Sequence, residues 1–113
     1  MKKPTKYKAI KVTIDGIEFD SKAEGRRYSE LTTLRKCGKI TELELQPTFV
    51  LAPSVKFAGS NRAKPALRYK ADFQYVEKGI RVVEDVKGML TKEFKIKQHL
   101  MLSVHGIDVR LTK

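Results

Sequence analysis

Hydrophobic and polar residues alternate along much of the chain, and two longer segments of helical period interrupt this alternation. Between residues 9 and 19 the alternation surrounds Asp15-Gly16, a dipeptide typical of hairpin turns, and it predicts two short strands. A helix is predicted next, with Ser21 as its capping residue. It should end near Cys37-Gly38, because glycine readily adopts the left-handed conformation that follows many helices.

The rest of the chain predicts further strands and a second helix. The strands are expected over residues 40–51, 67–75, 80–87 and 107–111, and the helix over residues 91–105. Pro47 favours a bulge or a sheet edge within the first of these strands. Residues 52–65 combine Pro, Gly, Ser, Lys and Arg and predict a mobile basic loop. The order ββαβββαβ predicts an α/β fold with a mixed β-sheet flanked by helices.

Length and composition favour one folded domain. The chain has 113 residues and 41% hydrophobic content, which suits a single domain over residues 9–113 after a basic flexible arm over residues 1–8. The longest uncharged stretch has 11 residues, whereas a membrane span needs about 20. Cys37 is the only cysteine, which excludes an internal disulfide and a cysteine-based zinc site. We therefore expect a soluble protein of a reducing compartment, without membrane contact.

The charge of the chain points to its partner. A formal net charge of +11 on so small a body attracts polyanions, and nucleic acid is the polyanion that we expect. The acidic residues are the minority, so their positions distinguish a protein that only coats DNA from an enzyme that acts on it.

Two carboxylates and a lysine are predicted to lie on one face of neighbouring strands. Side chains alternate along the strand 80–87, so Asp85 and Lys87 share a face and Glu84 points the other way. A hairpin with a four-residue loop over residues 77–80 places Asp72 directly opposite Asp85, whereas a three- or five-residue loop would not. Like charges opposite each other destabilise a sheet, and a bound Mg²⁺ would remove that cost.

Glu24 is a third candidate carboxylate, in the first turn of the first predicted helix. It lies at the start of the apolar stripe that contains Tyr28 and Leu31, where a bare carboxylate is costly to bury. A structural alternative is a capping box, in which Glu24 reaches back to the amide of Ser21. Both roles are compatible at the start of a helix.

The ordered set of these residues resembles the PD-(D/E)xK nuclease motif. Asp72 is followed, after twelve residues, by Asp85-Val86-Lys87, and the upstream helix carries Glu24. The wider pattern is carried by FDSKAE at 19–24, LQP at 45–47, YKADF at 69–73 and VEDVKG at 83–88. It resembles a small phage-encoded family of that superfamily, long catalogued as a domain of unknown function. Among characterised enzymes, this family is most similar in its pattern to the archaeal-type Holliday-junction resolvases.

Two departures from the motif leave one assignment open. Ala71 stands before Asp72 where proline is usual, and Asp85 stands where glutamate is commoner. Glu84 could therefore take the place of the motif acid, although strand alternation favours Asp85 because only Asp85 shares a face with Lys87. The role of Gln46, within the family-like phrase, is not assigned by the sequence.

The resemblance implies a restriction-endonuclease-like core and a Mg²⁺- or Mn²⁺-dependent endonuclease. Asp72, Asp85 and the backbone carbonyl of Val86 would ligate the metal, and Glu24 would hold a water of the metal or a second ion. Lys87 would orient or help deprotonate the attacking water and offset charge in the transition state. The basic residues that flank this site in sequence are expected to contact DNA phosphates; they are Arg62, Lys64, Arg68, Lys70, Lys92, Lys95 and Lys97.

The resemblance also implies a substrate and an assembly. We expect cleavage of branched DNA, such as Holliday junctions, in phage recombination or replication, by a homodimer in the cytoplasm of a bacterial host. A nuclease for other DNA structures, a non-catalytic DNA-binding protein on the same fold and an RNA-binding accessory protein are the alternatives.

Overall fold

The structure is a computed structural model that describes residues 10–113 as two helices and eight strands. In chain order these elements are β1 (Val12–Ile14), β2 (Ile17–Phe19), α1 (Lys22–Lys36), β3 (Ile40–Leu45), β4 (Thr48–Ala52), β5 (Leu67–Lys70), β6 (Phe73–Glu77), β7 (Ile80–Val86), α2 (Lys92–His105) and β8 (Arg110–Thr112). The predicted flexible arm over residues 1–8 lies outside the described residues.

Both helices begin and end where the sequence predicted. Ser21 caps α1 by accepting the backbone N–H of Glu24 at 3.1 Å, and Thr91 caps α2 by accepting the backbone N–H of Phe94 at 3.1 Å. Gly106 ends α2 with a φ of 68°, the left-handed conformation that favours glycine. The last predicted strand, over residues 107–111, is shorter and later, because β8 begins only at Arg110.

The central sheet has the strand order β3-β6-β7-β8. β6 pairs antiparallel with both β3 and β7, whereas β8 runs parallel to β7. A parallel pair needs a crossover connection, and α2 supplies it. The predicted α/β class with a mixed sheet and flanking helices is confirmed, and it is consistent with a restriction-endonuclease-like core.

β6 and β7 form a hairpin with the register that the sequence predicted. Glu77 pairs with Ile80, and Phe73 pairs with Glu84. Only Lys78 and Gly79 form the turn, with φ values of 53° and 76°, which match the twist of a tight two-residue hairpin. The turn is shorter than the four-residue loop that we expected, but the same residues face each other across the strands.

Two of the predicted strands are each divided in two, so the predicted order ββαβββαβ is wrong in its strand count. Residues 40–51 form β3 and β4, which are separated at Gln46-Pro47, and residues 67–75 form β5 and β6, which are separated at Ala71-Asp72. β4 and β5 pair with each other in a separate small sheet. Hydrophobic alternation continues through both breaks, and it therefore could not reveal that the chain leaves one sheet for another.

The two breaks contact each other. The backbone N–H of Gln46 donates to the carbonyl of Asp72 at 2.9 Å, and the N–H of Ala71 donates to the carbonyl of Pro47 at 3.0 Å. Asp72 is thus held at the junction between the two sheets and not within a continuous strand.

Residues 53–66, here named the β-arm, extend the β4–β5 hairpin. Val55 and Lys64 form an antiparallel bridge, with N–H to carbonyl distances of 3.2 and 2.6 Å. The N–H of Ser60 donates to the carbonyl of Phe57 at 3.1 Å and closes the turn at the tip. The predicted loop over residues 52–65 is therefore a hairpin extension with its own hydrogen bonds.

Hydrophobic clusters cover both faces of the central sheet. One cluster packs with α1 and consists of Phe19, Leu31, Ile40, Phe73, Tyr75 and Val82. The other packs with α2 and consists of Phe49, Leu51, Tyr69, Ala71, Val83, Phe94, Met101 and Val109. Val82 and Val83 belong to different clusters, as strand alternation requires. Within residues 10–113, no helix combines the length and the apolar character needed to cross a membrane.

Candidate active site

Asp72 and Asp85 are neighbours at one end of the β6–β7 hairpin. The backbone N–H of Asp72 donates to the carbonyl of Glu84 at 3.2 Å, and since Glu84 already pairs with Phe73, the regular pairing of the hairpin ends at Phe73. The N–H of Val86 donates to Oδ2 of Asp72 at 2.8 Å. These bonds draw the Asp72 side chain toward β7, so the predicted juxtaposition of the two carboxyl groups is present.

The chain holds each carboxyl group through its Oδ2 atom. The Tyr69 hydroxyl donates a hydrogen bond to Oδ2 of Asp85, as the Val86 N–H does to Asp72. Asp85 is only 2% exposed, so its charge lies almost out of contact with solvent. Burial and the hydrogen bond to Asp85 raise the pKa of the Tyr69 hydroxyl, which keeps Tyr69 a donor.

The two carboxyl groups resist being ionised together. Burial, a hydrogen bond with Asp85 and the charge of Asp85 raise the pKa of Asp72 to about 8, and the N–H of Val86 offsets this only in part. Asp72 therefore keeps its proton near neutral pH unless a cation offsets the negative charge beside it. The fold therefore maintains an arrangement that is electrostatically unfavourable without a ligand.

Lys87 lies beside the carboxyl pair, on the face that strand alternation predicted. Its Nζ is 3.8 Å from Oδ2 of Asp85 and 4.7 Å from the centre of the Phe94 ring. The ring of Phe94 and the charge of Asp85 both attract the ammonium group and hold it at this position. The side chain is partly exposed, so the cation borders the open side of the site.

Glu24 approaches the same region from the first turn of α1. Burial and the charge of Asp20 raise the pKa of Glu24, and the more distant charge of Asp85 adds to this effect. The Ser21 hydroxyl accepts the backbone N–H of Glu24, but within residues 10–113 no hydrogen bond joins the Glu24 carboxylate to the amide of Ser21, so only half of the predicted capping box is present. Among residues 10–113, no group of three or more His, Cys, Asp or Glu converges closely enough to hold a metal. Asp72 and Asp85 therefore form a pair, and Glu24 stands farther away.

A small cavity connects Glu24 with Asp72. It has a volume of about 140 Å³, and it is lined by Glu24, Gln46 and Asp72 together with Ile17, Glu18, Phe19, Leu45 and Phe73. This volume exceeds that of a single water, about 30 Å³, so hydrated groups fit between the two carboxylates. Glu24 and Asp72 therefore line the same cavity, although their side chains form no hydrogen bond with each other.

Gln46 occupies a backbone conformation that side-chain-bearing residues rarely adopt. Its φ is 52°, in the left-handed region, and the residue before a proline ordinarily takes an extended conformation. This conformation lets the Gln46 N–H reach the carbonyl of Asp72 while the residue lines the cavity. Local strain of this kind clusters at functional sites. The phrase LQP marked the position in the sequence, but only the backbone assigns it to the site.

Glu84 lies on the opposite face of β7 and is fully buried. Its carboxylate accepts from Arg27 Nε at 2.6 Å, from Arg27 Nη2 at 3.0 Å, from the Tyr75 hydroxyl at 2.6 Å and from Thr112 Oγ1 at 3.1 Å. These bonds tie α1, β6 and β8 to β7. The alternative in which Glu84 takes the place of the motif acid is therefore wrong, because its side chain points away from Lys87 and all its partners are structural.

Tyr69 is a site residue that the sequence did not identify. In the sequence it lies in the predicted strand 67–75 and begins the phrase YKADF, but neither pattern gives it a role. A buried tyrosine hydroxyl needs a hydrogen-bond partner, but the sequence does not specify which acceptor supplies it. The hydrogen bond joins β5 of the small sheet to Asp85 of the central sheet, 16 residues later in the chain, and it therefore depends on tertiary structure.

The basic residues predicted to contact DNA fall into three groups. Lys70 and Lys97 line an open cleft beside Lys87, and Lys97 also contacts Glu93 at 3.9 Å. Lys92 and Lys95 are exposed on α2. The remaining three, Arg62, Lys64 and Arg68, lie on the β-arm or at the base of its hairpin.

Comparison with known proteins gives a family but no activity. A family model described as "Protein of unknown function (DUF1064)" matches residues 4–113. No curated protein and no solved structure matches the chain.

Proposed function

The chain belongs to the family described as "Protein of unknown function (DUF1064)", and we propose that it is a metal-dependent endonuclease that hydrolyses phosphodiester bonds in DNA. The observation that carries the proposal is the Asp72–Asp85 pair, in which Asp85 is buried, Asp72 is partly buried and Lys87 lies beside Asp85. Paired carboxylates with an adjacent cation, on a strongly basic chain, fit the hydrolysis of a phosphate ester.

The donor set fits Mg²⁺ or Mn²⁺. Two carboxylates and the backbone carbonyl of Val86 offer hard oxygen ligands, and Mg²⁺ commonly takes one or two carboxylates and completes its shell with water and substrate phosphate. When bound, such an ion supplies a nucleophile at neutral pH and stabilises charge on the attacking and leaving oxygens. The raised pKa of Asp72 supports the assignment, because a divalent cation removes the repulsion that raises it.

Each remaining residue then has a stated role. Asp72 and Asp85 hold the cation site, and Tyr69 and the Val86 N–H fix their orientation. Lys87 orients the attacking water and offsets the charge that develops on the phosphoryl oxygens. Glu24 acts across the cavity, on a water or on a second ion. Lys70 and Lys97 contact phosphates beside the cleaved bond.

The substrate and the assembly belong to the same proposal. Paired nicks in a two-fold symmetric DNA junction need two sites, and a homodimer with two-fold symmetry would supply them. We propose branched DNA as the substrate and the cytoplasm of a phage-infected bacterium as the setting.

A second function, non-catalytic DNA binding on the same fold, is favoured by one observation. Among the described residues, Glu24 does not join Asp72 and Asp85 in a cluster of three carboxylates. A protein of this kind keeps the basic surface and uses the buried carboxyl groups only for structure.

Cleavage assays with defined DNAs test the proposal. Labelled four-way junction, duplex and single-stranded DNA are incubated with Mg²⁺, with Mn²⁺ and with EDTA, beside the Lys87→Ala protein. We expect paired nicks in the junction that need the metal and that fall by about 100-fold in the variant, because Lys87 is the cation nearest the carboxyl pair. Lys39→Ala, which removes an exposed charge elsewhere, should leave the rate unchanged. Tight binding without cleavage under any metal would replace the nuclease by the non-catalytic binder.

Gln46→Gly separates stability from function at the strained position. Glycine adopts a φ of 52° without steric cost, so we expect the variant to be as stable as the wild type or more stable, by up to ~1 kcal/mol. The Gln46 side chain lines the cavity beside Asp72, and we expect its loss to lower the cleavage rate by about ten-fold. Thermal melts and cleavage rates measured on the same preparation provide the comparison. A variant with unchanged cleavage would remove Gln46 from the site.

A further inference from the structure

The β-arm combines an exposed aromatic residue at its tip with charged residues that are all positive. The side chain of Phe57 is 61% exposed, and neither hydrophobic cluster of the fold includes it. Residues 45–71 contain Lys56, Arg62, Lys64, Arg68 and Lys70 and no aspartate or glutamate. Residues 1–14 share this bias, with five lysines and no acidic residue, whereas residues 15–44 and 72–113 mix both signs of charge.

The conformation of the β-arm is defined by its own hydrogen bonds. Besides the Val55–Lys64 bridge, the Ser54 hydroxyl donates to the carbonyl of Lys64 at 2.6 Å, and the Ser60 hydroxyl donates to the carbonyl of Arg62 at 2.9 Å. Gly59 takes a φ of 82° in the turn, which presents Phe57 at the tip. The aromatic ring is thus displayed by a preformed hairpin.

An apolar concavity accompanies the aromatic tip. It has a volume of about 400 Å³, and Pro53, Val55, Phe57 and Leu67 line it together with the edge residue Lys64. Val55 and Leu67 are 48% and 59% exposed, so the apolar surface extends along the hairpin. An apolar surface bordered by phosphate-binding cations suits a ligand with flat apolar faces and a negative backbone.

We propose that the β-arm binds DNA at a distorted position, where Phe57 stacks on an exposed base and Lys56, Arg62 and Lys64 contact the neighbouring phosphates. Continuous duplex offers no free base face, whereas junctions, gaps and single strands do. The proposal rests on the proposed function and deepens it, because it names the feature by which branched DNA is preferred. A second copy of this chain is a poor occupant of the same surface, because two-fold pairing there would bring the cations of residues 45–71 against those of the partner.

The β-arm and the carboxyl pair can engage one DNA molecule. Lys64 lies eight positions before Asp72 in the chain, and an extended chain spans about 3.3 Å per residue, so the two lie within about 26 Å. Phe57 lies two residues beyond Val55, which pairs with Lys64, and this adds about 12 Å. At about 3.4 Å per nucleotide along a strand, the base that contacts Phe57 lies within about eleven nucleotides of the cleaved phosphate.

The test measures binding without cleavage. Fluorescence anisotropy gives the Kd for a four-way junction and for duplex DNA in EDTA, with the wild type, Phe57→Ala, Phe57→Trp and Ile80→Ala. Ile80 is a matched control, because it is 67% exposed and lies in the β6–β7 hairpin. We expect Phe57→Ala to weaken junction binding about ten-fold and to leave duplex binding within about two-fold. Phe57→Trp should retain the preference for the junction, and Ile80→Ala should change neither Kd.

Two further readouts separate stacking and charge from other roles. A 2-aminopurine base at the junction centre should change its fluorescence on binding the wild type but not Phe57→Ala. The triple variant Lys56→Ala, Arg62→Ala, Lys64→Ala should lower the salt slope of duplex binding by about 2–3. Equal affinity of Phe57→Ala and wild type for the junction would overturn the proposal. So would a Phe57→Ala protein whose mass in solution falls from dimer to monomer, since the β-arm would then bind protein.

The binding measurements on Phe57→Ala and the cleavage assay test the two proposals separately. If the wild type binds the junction through Phe57 but cuts no DNA with any metal, the β-arm proposal stands and the nuclease proposal fails. If the wild type cuts the junction and Phe57→Ala binds and cuts it equally well, the nuclease stands and the role of the β-arm fails.

Discussion

Asp72→Asn is expected to lower the rate of metal-dependent cleavage by about 100- to 1,000-fold and at the same time to stabilise the metal-free protein. The two effects have opposite signs because the ligand-free site keeps two carboxyl groups in an unfavourable contact. Asparagine retains the acceptor for the N–H of Val86 and removes the charge. Cleavage rates and thermal melts in EDTA, measured on the same protein, check both effects.

The stability difference between these two proteins should depend on pH. The folded state raises the pKa of Asp72 to about 8, above an unfolded value of ~3.9, so the folded protein binds the proton more tightly. The free energy of unfolding of the metal-free wild type should therefore fall as pH rises through this window. Because the side-chain amide introduced by Asp72→Asn does not titrate, the advantage of the variant should grow from pH 5 to pH 8 and then level off.

Controls define what would contradict this prediction. Asp108→Asn removes an exposed carboxylate far along the chain and should change neither cleavage nor the pH profile. Mg²⁺ should raise the melting temperature of the wild type more at pH 8 than at pH 6 and should not affect Asp72→Asn. A variant that cuts DNA at the wild-type rate, or melts below it in EDTA at pH 8, would show that Asp72 has no place in a cation site.

Glu84→Ala is expected to lower the free energy of unfolding by about 3–5 kcal/mol. The substitution removes the acceptor of four hydrogen bonds. It leaves a buried space beside the Arg27 guanidinium, which then keeps only its exposed partner Glu30. The free energy of unfolding of a domain of this size is about 5–15 kcal/mol in total, so the variant should be partly unfolded at 37 °C. Urea denaturation followed by circular dichroism measures the loss.

Two variants accompany this measurement. Glu84→Gln keeps the volume and one acceptor, and it should lose less stability than Glu84→Ala. Glu30→Ala removes the other, exposed partner of Arg27 and should cost no more than about 1 kcal/mol. If Glu84→Gln kept its full stability but lost DNA cleavage, Glu84 would belong to the chemistry and not to the core.

The separate roles of Glu84 and Asp85 illustrate how far a local rule extends. Alternation along one strand is a property of the backbone, so the sequence alone placed Asp85 with Lys87 and directed Glu84 to the other face. The sequence alone could not predict the partner of Glu84 on that face. Arg27 is 57 residues away in sequence and contacts Glu84 only because α1 packs on the sheet.

The sequence by itself determined the features that depend on near neighbours. These are both helices with their caps, the β6–β7 register that brings Asp72 close to Asp85, and the side of the strand on which Lys87 lies. Tertiary structure alone decided the division of two apolar runs at Gln46-Pro47 and Ala71-Asp72, the hydrogen bond from Tyr69 to Asp85 and the distance of Glu24 from the pair. Turns, caps and hairpin register follow from contacts within a few residues, whereas the path of a chain between two sheets depends on contacts between segments far apart in sequence.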